Sequence, residues 1–277
     1  MNQNFLPGTQ IEIVNEIPRG QFKHVLFDFD GTISLLREGW QGIMVPVCIE
    51  MICGDSEPTD AIREAVAQMI DETTGIQTIF QMERLVEMIR EYALVPEAQM
   101  LDAAGYKAVY NERLLVPVRE RLARLDSGAL SIEAATVPGA HRFLELLHGH
   151  GAAMYVFSGT DRDDVRHECA QVKANHFFQE IWGAIPSVEE YSKEKVIREI
   201  IAQHGLHGSE VLAVGDGPVE LRNVKEHGGV ALGIASDETN GGWDMHKRAR
   251  LLKAGADILV PDFSEAEALY RYLMAVE

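Results

Sequence analysis

Hydrophobic residues follow two different patterns along the chain. Up to about residue 33, and again from about residue 136 onward, they form short continuous runs that end in glycine, aspartate or serine. Such runs are typical of strands that are buried on both faces of a parallel sheet. From Trp40 to about Leu125 the hydrophobic residues instead recur three and four positions apart, as on one face of a helix. The pattern therefore predicts a sheet-forming chain that is interrupted by a helical insertion.

The short apolar runs alternate with segments of helical spacing. Residues 11–14 predict a short additional strand, and the sheet strands predicted after it are 25–27, 152–159, 210–217, 229–236 and 256–263. The helices predicted around these strands are 139–149, 161–173, 192–204, 217–227, 244–254 and 264–275. Alternating strands and helices imply right-handed crossovers, so we predict an α/β fold with a parallel sheet and helices on both faces.

The predicted strands divide the chain into two domains. Residues 1–33 and 136–277 contain all of these strands, and we expect them to fold together as one α/β core. The segment 34–135 contains only helical patterns, such as those at 61–70 and 78–94, and we expect it to form an inserted all-α domain. A chain of 277 residues is long enough for two units that each bury a core.

Acidic residues outnumber basic ones by 43 to 25, which gives the chain a formal net charge of −18. No cluster of Lys and Arg offsets this charge, so we expect neither nucleic acid nor an anionic membrane as a partner. No apolar stretch reaches the roughly 18 residues of a membrane helix, and the N-terminal residues lack the pattern of a signal peptide. Three cysteines without a C-x-x-C pair fit reduced thiols. These features predict a cytoplasmic protein.

Acidic and hydroxyl residues stand where the predicted strands end. Asp28 and Asp30 follow the first long strand, and Ser158 closes the next one along the chain. Asp216 and Glu220 follow a later strand. Because ligands of open α/β sheets bind outside the carboxyl ends of the strands, we expect these side chains to meet. Four carboxylates close together need a counter-charge, which Mg²⁺ supplies in sites that also bind a substrate phosphate.

This arrangement suits phosphoryl transfer. A carboxylate at the tip of a strand, in the position of Asp28, can attack a phosphorus atom and form an aspartyl-phosphate. A second carboxylate two residues later, that of Asp30, can protonate the leaving oxygen and then activate the water that hydrolyses the intermediate. The sequence therefore predicts a Mg²⁺-dependent enzyme that acts on a phosphate ester.

Four short motifs stand in the order found in the haloacid dehalogenase-like (HAD) superfamily of phosphatases, which the chain resembles. They are D-x-D-G-T at Asp28–Thr32, a serine that closes the next core strand at Ser158, a lysine that opens a helix at Lys193, and G-D-x-x-x-[D/E] at Gly215–Glu220. The helical insertion between the first two motifs is similar to the C1 cap of the phosphoglycolate phosphatase-like members. The resemblance implies a Rossmann-like core with an inserted all-α cap at 34–135.

The resemblance also implies a role for the acidic motif residues. Asp28 would be the nucleophile and a Mg²⁺ ligand. Asp30 would be the general acid and base, and its backbone carbonyl would also bind the metal. Asp216 would complete the metal site, and Thr32 and Glu220 would support it.

Phosphoryl oxygens, by the same resemblance, would be held by Ser158, by the backbone N–H of Gly159 and by a lysine. Lys193 and Lys195 both lie near the start of one predicted helix. We prefer Lys193, because Ser192 can cap the helix there and the apolar residues that follow then face the core.

The resemblance implies that the substrate is a small phosphorylated metabolite, such as a sugar phosphate or phosphoglycolate. Arg37, Glu38 and Trp40 lie where the chain leaves the first motif for the insertion, so they are candidates for recognising this substrate. The polar loop 237–243 lies at the same edge of the predicted sheet, where it could close over the substrate, contact another subunit or only connect two elements.

Two other functions fit the same residues. A sugar phosphomutase of this fold would use the same side chains and would differ in its need for a bisphosphate activator. A regulatory or binding protein could keep the fold without turnover, but such a protein usually loses the nucleophile or the acid/base. Both are present here, as Asp28 and Asp30. The sequence leaves open which phosphomonoester is bound and what the oligomeric state is.

Overall fold

The computed structural model describes residues 4–185 and 193–276, which form two compact units. The first unit consists of Met1–Glu38 and Leu122–Glu277, and the second is Gly39–Arg121. The second unit is therefore shorter at both ends than the predicted insertion, 34–135.

The residues on either side of the second unit belong to the first unit because they pack in its core. Ser34 pairs with Thr136 in an antiparallel bridge, and Leu36 is fully buried in the core of the first unit. Leu122 and Leu125 pack against the same core. The role of the inserted unit as a cap stays a prediction.

The second unit is built from helices. They are α1 (Trp40–Cys53), α2 (Asp60–Thr73), α3 (Thr78–Tyr92) and α4 (Ala103–Asp126), whose last residues belong to the first unit. Residues 39–121 are all described, and none of them lies in a strand. Apolar side chains at helical spacing form the interior, including Val47, Ile62, Met82 and Tyr110.

A seven-stranded sheet runs through the described part of the first unit. Its strands are β1 (Glu12–Ile13), β2 (His24–Phe27), β3 (Ala153–Asp161), β4 (Glu180–Ala184), β5 (Val211–Gly215), β6 (Val230–Ile234) and β7 (Ile258–Val260). Their order is β1-β7-β6-β5-β2-β3-β4, and all neighbours are parallel except β1, which pairs antiparallel with β7. The predicted parallel sheet and the short additional strand are confirmed.

Helices cover both faces of this sheet. Those that follow the second unit in the described residues are α5 (Ala140–His150), α6 (Arg162–Gln171), α7 (Lys193–His204), α8 (Pro218–Glu226), α9 (Met245–Lys253) and α10 (Ala266–Met274). Phe143 of α5 and Leu269 of α10 lie in one buried cluster, whereas Val196 of α7 and Leu221 of α8 lie in another. The predicted α/β class is confirmed. No helix in 4–185 or 193–276 has the length and apolar character that crossing a membrane requires.

The central strands end level with one another. Phe27 of β2 lies beside Val156 of β3 on one side and beside Val214 of β5 on the other. Because the three strands are parallel, the residues that follow them emerge at the same edge of the sheet. This register brings the loops after β2, β3 and β5 together.

The edge strand β4 was not predicted from the sequence. Among the strands that the structure describes it pairs only with β3, and its exposure falls along the strand from the exposed Glu180 to the buried Gly183 and Ala184. Trp182 stacks on Tyr155 of β3, with ring centroids 5.4 Å apart. A strand with one neighbour and one partly open face needs no continuous apolar run, so the pattern that marked the central strands is missing here.

At the amino-terminal end of β2, His24 is buried among polar and aromatic groups. Its Nδ1 lies 3.1 Å from Oη of Tyr155, which itself donates to Oε1 of Gln179 at 3.0 Å. The ring of His204 lies 4.5 Å from that of His24. Burial lowers the pKa of His24, His204 lowers it further, and Glu210 opposes the shift. The fold therefore favours the neutral imidazole.

We expect the protein to lose stability as the pH falls below about 6.5, the ordinary pKa of histidine. The pKa of His24 is lower in the folded than in the unfolded state, so its contribution is complete above that pH and declines below it. The slope is at most about 1.4 kcal/mol per pH unit until the folded pKa is reached. Urea denaturation at pH 7.5 and 5.5 measures the decline, and His24→Gln is expected to reduce it. An equal decline in the variant would assign it to other groups.

Candidate active site

The loop after β2 carries the first motif and turns sharply at Gly31. The φ angle of Gly31 is +72°, and a Cβ at this position would lie 2.5 Å from Oδ2 of Asp216 and 2.9 Å from Oε1 of Glu238. Any other residue would be strained in this conformation and would collide with a carboxylate. Glycine is therefore what allows Asp216 to approach the loop.

Asp28 follows β2 and is buried, with 6% of its surface exposed. Its Oδ1 accepts a hydrogen bond from the N–H of Phe29 at 2.9 Å, and its Oδ2 lies 3.1 Å from Nζ of Lys193. Lys193 also donates to Oε2 of Glu220 at 3.0 Å. The structure thus brings Asp28, Lys193 and Glu220 together.

Glu220 is fully buried in the first turn of α8. Its Oε1 accepts a hydrogen bond from the N–H of Gly217 at 2.7 Å, which satisfies a backbone donor at the start of the helix. A Cβ at Gly215 would collide with the Glu220 side chain, so the glycine at the end of β5 makes room for it. Both carboxylate oxygens of Glu220 therefore have donors from the protein, one of them Lys193.

A group of carboxylates surrounds Asp28. Oxygen atoms of Asp28, Asp216 and Glu220 lie within 4.8 Å of one another, and all three residues are buried. Burial raises the pKa of Asp28 well above its ordinary value; Lys193 opposes this rise, and the neighbouring carboxylates add to it. A divalent cation would supply the missing positive charge, and carboxylate oxygens are ligands that Mg²⁺ prefers. The residues present fit a magnesium ion.

The carboxylate of Asp30 contacts the end of β3. Its Oδ2 accepts a hydrogen bond from Oγ1 of Thr160 at 2.7 Å and a longer one from Oγ of Ser158 at 3.5 Å. Its Oδ1 is buried without a hydrogen-bond donor among the described residues, and Nε of Arg37 lies 3.8 Å away. The structure therefore brings Asp30 to Ser158 and Thr160 through one carboxylate oxygen.

Thr32 and Gly159 lie beside these residues along the chain. Thr32 is fully buried, and its Oγ1 has no hydrogen-bond partner in the described part of the chain. Gly159 is partly exposed between Ser158 and Thr160. The N–H of Thr160 donates to Oγ of Ser158 at 3.0 Å, which fixes this serine at the strand end.

Arg37 lies in the first unit next to Asp30. Its guanidinium donates to the carboxylate of Glu168 on α6 at 2.6 to 3.1 Å and to Asp164 at 3.4 Å. Burial acts to lower the pKa of Arg37, but Asp30 and Glu168 outweigh it and raise that pKa above its ordinary value. Sequence reasoning missed Glu168, because an acid in the middle of an ordinary helix carries no signal of its own.

The other two residues proposed for substrate recognition are placed differently from Arg37. Oε1 of Glu38 accepts a hydrogen bond from Oγ1 of Thr239 at 3.0 Å, which links the end of the first unit's N-terminal segment to the loop 237–243. Trp40 is the first residue of α1, in the second unit.

Lys193 and Lys195 differ clearly in their surroundings. The Lys193 side chain is 4% exposed and contacts two buried carboxylates. The Lys195 side chain is 35% exposed, and its Nζ lies 3.9 Å from Oε1 of Glu199 on the same helix. The geometry therefore places Lys193, and not Lys195, beside Asp28. The predicted helix cap, Ser192, lies outside the described residues.

A second buried lysine at this edge was missed by sequence reasoning. Nζ of Lys247, on α9, lies 3.0 Å from Oδ2 of Asp216 and 2.9 Å from Oε1 of Glu238. Burial acts to lower the pKa of Lys247, but the two carboxylates outweigh it and raise that pKa. Lys247 stands among other basic residues in a helical pattern, so nothing in the sequence marks it. Glu238 belongs to the loop 237–243, whose predicted position at the site edge holds for this residue.

Comparisons with known proteins show which fold and which family this chain shares. No curated protein matches the chain. Among solved structures, a haloacid dehalogenase-like family hydrolase from Streptococcus pneumoniae is 19% identical, with a TM-score of 0.57, over 90% of this chain and 99% of that chain.

Two further solved structures are similar. A predicted phosphoglycolate phosphatase from Haemophilus somnus is 17% identical, with a TM-score of 0.55, over 90% of this chain and 98% of that chain. A β-phosphoglucomutase from Clostridium difficile is 10% identical, with a TM-score of 0.59, over 90% of this chain and 97% of that chain. At such identities the likeness shows the fold alone.

A family model gives the stronger result. The model described as haloacid dehalogenase-like hydrolase matches residues 22–228, a range that covers most of the chain and includes all four motifs. The resemblance to the HAD superfamily, stated above on the motifs, is confirmed. The chain belongs to the haloacid dehalogenase-like hydrolase family.

Proposed function

We propose that this protein is a Mg²⁺-dependent phosphatase that hydrolyses small phosphomonoesters through an aspartyl-phosphate on Asp28. One observation carries the proposal: the buried Asp28 carboxylate lies 3.1 Å from Nζ of Lys193, and its oxygen lies within 4.8 Å of carboxylate oxygens of Asp216 and Glu220. A nucleophilic carboxylate needs positive charge beside it before an anionic phosphate can approach. Lys193 supplies part of that charge.

The acid/base in this mechanism is Asp30. Asp28 attacks phosphorus, so that a bond forms from its carboxylate oxygen while the bond to the leaving oxygen breaks, and Asp30 protonates that oxygen. Water then attacks phosphorus, gives a proton to Asp30 and releases phosphate and the free Asp28 carboxylate. Thr160 holds one oxygen of Asp30 during these steps.

The phosphoryl group is held by residues at the strand ends. Ser158, the backbone of Gly159 and Lys193 bind its oxygens, and Thr32 and Glu220 support the two loops that carry the acids. Asp28, Asp216 and the carbonyl of Asp30 would hold Mg²⁺, which would supply positive charge beside the phosphoryl oxygens. The guanidinium of Arg37 is already paired with Glu168 and lies 3.8 Å from Oδ1 of Asp30. Its role in this mechanism is therefore to place positive charge beside Asp30.

The substrate class follows from the insertion and the charge. An inserted helical cap of the C1 type would close the site to bulk water and to large substrates, which favours a sugar phosphate or a phosphoglycolate-like compound. Glu38 and Trp40, at the start of the insertion, remain candidates for contact with the leaving group. The net charge of −18 disfavours nucleic acid as a partner.

Phosphate release from a panel of small phosphomonoesters tests the proposal. We expect turnover with Mg²⁺, loss of turnover when a chelator removes the metal, and recovery when excess Mg²⁺ is added, because Mg²⁺ is needed to offset the carboxylates around Asp28. Turnover that persists after chelation would contradict the metal requirement.

The same panel separates the alternatives when its products are also analysed for isomers. A phosphomutase would convert a sugar phosphate to its isomer, and only when a sugar bisphosphate is present. A binding protein would neither release phosphate nor isomerise any substrate, although it could still bind one. Either result would overturn the proposed hydrolysis.

A further inference from the structure

Two buried lysines approach the carboxylate group from different sides. Lys193 bridges Asp28 and Glu220, at 3.1 and 3.0 Å. Lys247 bridges Asp216 and Glu238, at 3.0 and 2.9 Å, and its side chain is 10% exposed. Lys193 belongs to a family motif, whereas Lys247 and Glu238 lie beyond residue 228, where the family match ends.

The helix that carries Lys247 is fixed at its start and along its length. The side chain of Asp244 accepts hydrogen bonds from the N–H groups of His246 and Lys247, at 2.8 and 2.9 Å, and so caps α9. Arg248 donates through Nε to Oε2 of Glu12, a buried acid of β1, at 2.7 Å. Glu12 also lies outside the matched range, so chain segments from both ends of the sequence hold this helix against the site.

The Asp216 carboxylate is therefore held through one oxygen. Nζ of Lys247 holds Oδ2, and Gly31 leaves just enough room for the same oxygen against the loop of the first motif. Asp216 is also one of the three residues whose oxygens lie within 4.8 Å of one another. A donor that fixes one oxygen of a metal-binding carboxylate fixes the direction of the other.

We propose that Lys247 is a positioning residue for Asp216, holding this carboxylate in the orientation that binds Mg²⁺. The inference rests on the proposed function only for the identity of the metal site. Glu238 accepts a second hydrogen bond from Lys247. The loop 237–243, which carries Glu238, thereby helps to hold Lys247 beside Asp216.

Positioning and simple charge predict opposite effects when Lys247 is replaced. Removing a positive charge near a cation site, taken alone, leaves Asp216 and Glu238 uncompensated and makes Mg²⁺ bind more tightly. Losing an orienting partner of a ligand makes the metal bind more weakly, typically by about 10- to 100-fold. The sign of the change in Mg²⁺ affinity therefore separates the two.

The test is calorimetric titration of the full-length protein with Mg²⁺ in the absence of substrate. We expect Lys247→Met to raise the Mg²⁺ dissociation constant by about 10- to 100-fold. Its kcat at saturating Mg²⁺ is expected to recover to within about threefold of wild type, because the metal then orders Asp216 itself. The matched control is Lys253→Met, which removes an exposed lysine from the same helix and is expected to leave the constant unchanged.

Several results would overturn the inference. They are unchanged or tighter Mg²⁺ binding by folded Lys247→Met, a kcat that stays low at saturating Mg²⁺, and a wild type that binds no Mg²⁺. If Lys247→Met does not fold, Lys247→Gln takes its place: glutamine is polar but one bond shorter than lysine, so it loses the 3.0 Å contact with Asp216, and binding no weaker than wild type again overturns the inference. Because Mg²⁺ binding is measured without substrate, a wild type that binds Mg²⁺ but hydrolyses nothing would reject the proposed function and leave this test valid.

Discussion

Asp28→Asn is expected to abolish phosphate release, with a loss on the order of 10⁴-fold or more, as for other covalent nucleophiles. The amide keeps the shape of the side chain and can still accept the hydrogen bond from the N–H of Phe29. It cannot form an acyl-phosphate, because its oxygen carries no charge and its nitrogen is no nucleophile. Burst-phase kinetics and detection of phosphorylated Asp28 in wild type alone complete the measurement.

The same variant is expected to be at least as stable as wild type when no Mg²⁺ is present. Burial raises the pKa of Asp28, so the fold favours the protonated carboxyl. The corresponding stability is present below the ordinary pKa and is lost as the pH rises through the folded value. Asparagine is neutral at every pH and avoids that loss. Thermal denaturation in the presence of a chelator checks this expectation.

The matched control is Asp262→Asn, which makes the same change after another strand of the sheet. Oδ1 of Asp262 accepts a hydrogen bond from the N–H of Ser264 at 2.7 Å, and an amide oxygen can accept it equally well. We expect this control to keep full activity. Turnover by folded Asp28→Asn would show that the nucleophile lies elsewhere, and inactivity of both variants would show that the assay reports something other than the Asp28 carboxylate.

The central sheet was predictable because its strands are buried on both faces. Val25–Phe27 and Val211–Val214 are fully buried, so each had to be a continuous apolar run. The edge strand Glu180–Ala184 has one neighbour and a partly open face, which removes that constraint and with it the signal. Leu36 and Leu122 pack in the first unit although they adjoin helical sequence, so the second unit lies inside the predicted bounds 34–135.

The acids of the site were predictable because parallel strands deliver them to one edge. Asp28 and Asp216 each follow a central strand, and their meeting needs only the topology. Lys247 reaches Asp216 across 31 positions, and Glu168 reaches Arg37 across 131. Such pairs depend on how helices pack on the sheet, and no local sequence pattern predicts that packing.

Lys193→Met is expected to have the second large effect, on both stability and activity. Its Nζ is the cation that contacts Asp28 and Glu220, and both carboxylates are buried. Removing one partner of a buried ion pair leaves the others uncompensated, which typically costs about 3–5 kcal/mol of unfolding free energy. Loss of the charge beside the reacting phosphoryl group is expected to lower kcat by about 10²- to 10³-fold.

Lys195→Met is the matched control, two residues away on the same helix. Its side chain is 35% exposed and faces Glu199 at 3.9 Å, so the ion pair contributes at most about 0.5 kcal/mol. Urea denaturation of both variants with and without Mg²⁺ is the measurement. Mg²⁺ is expected to restore part of the stability of Lys193→Met, because it supplies positive charge to the same oxygens. Equal losses in the two variants would contradict the assignment of Lys193, since only a buried lysine between carboxylates can produce the difference.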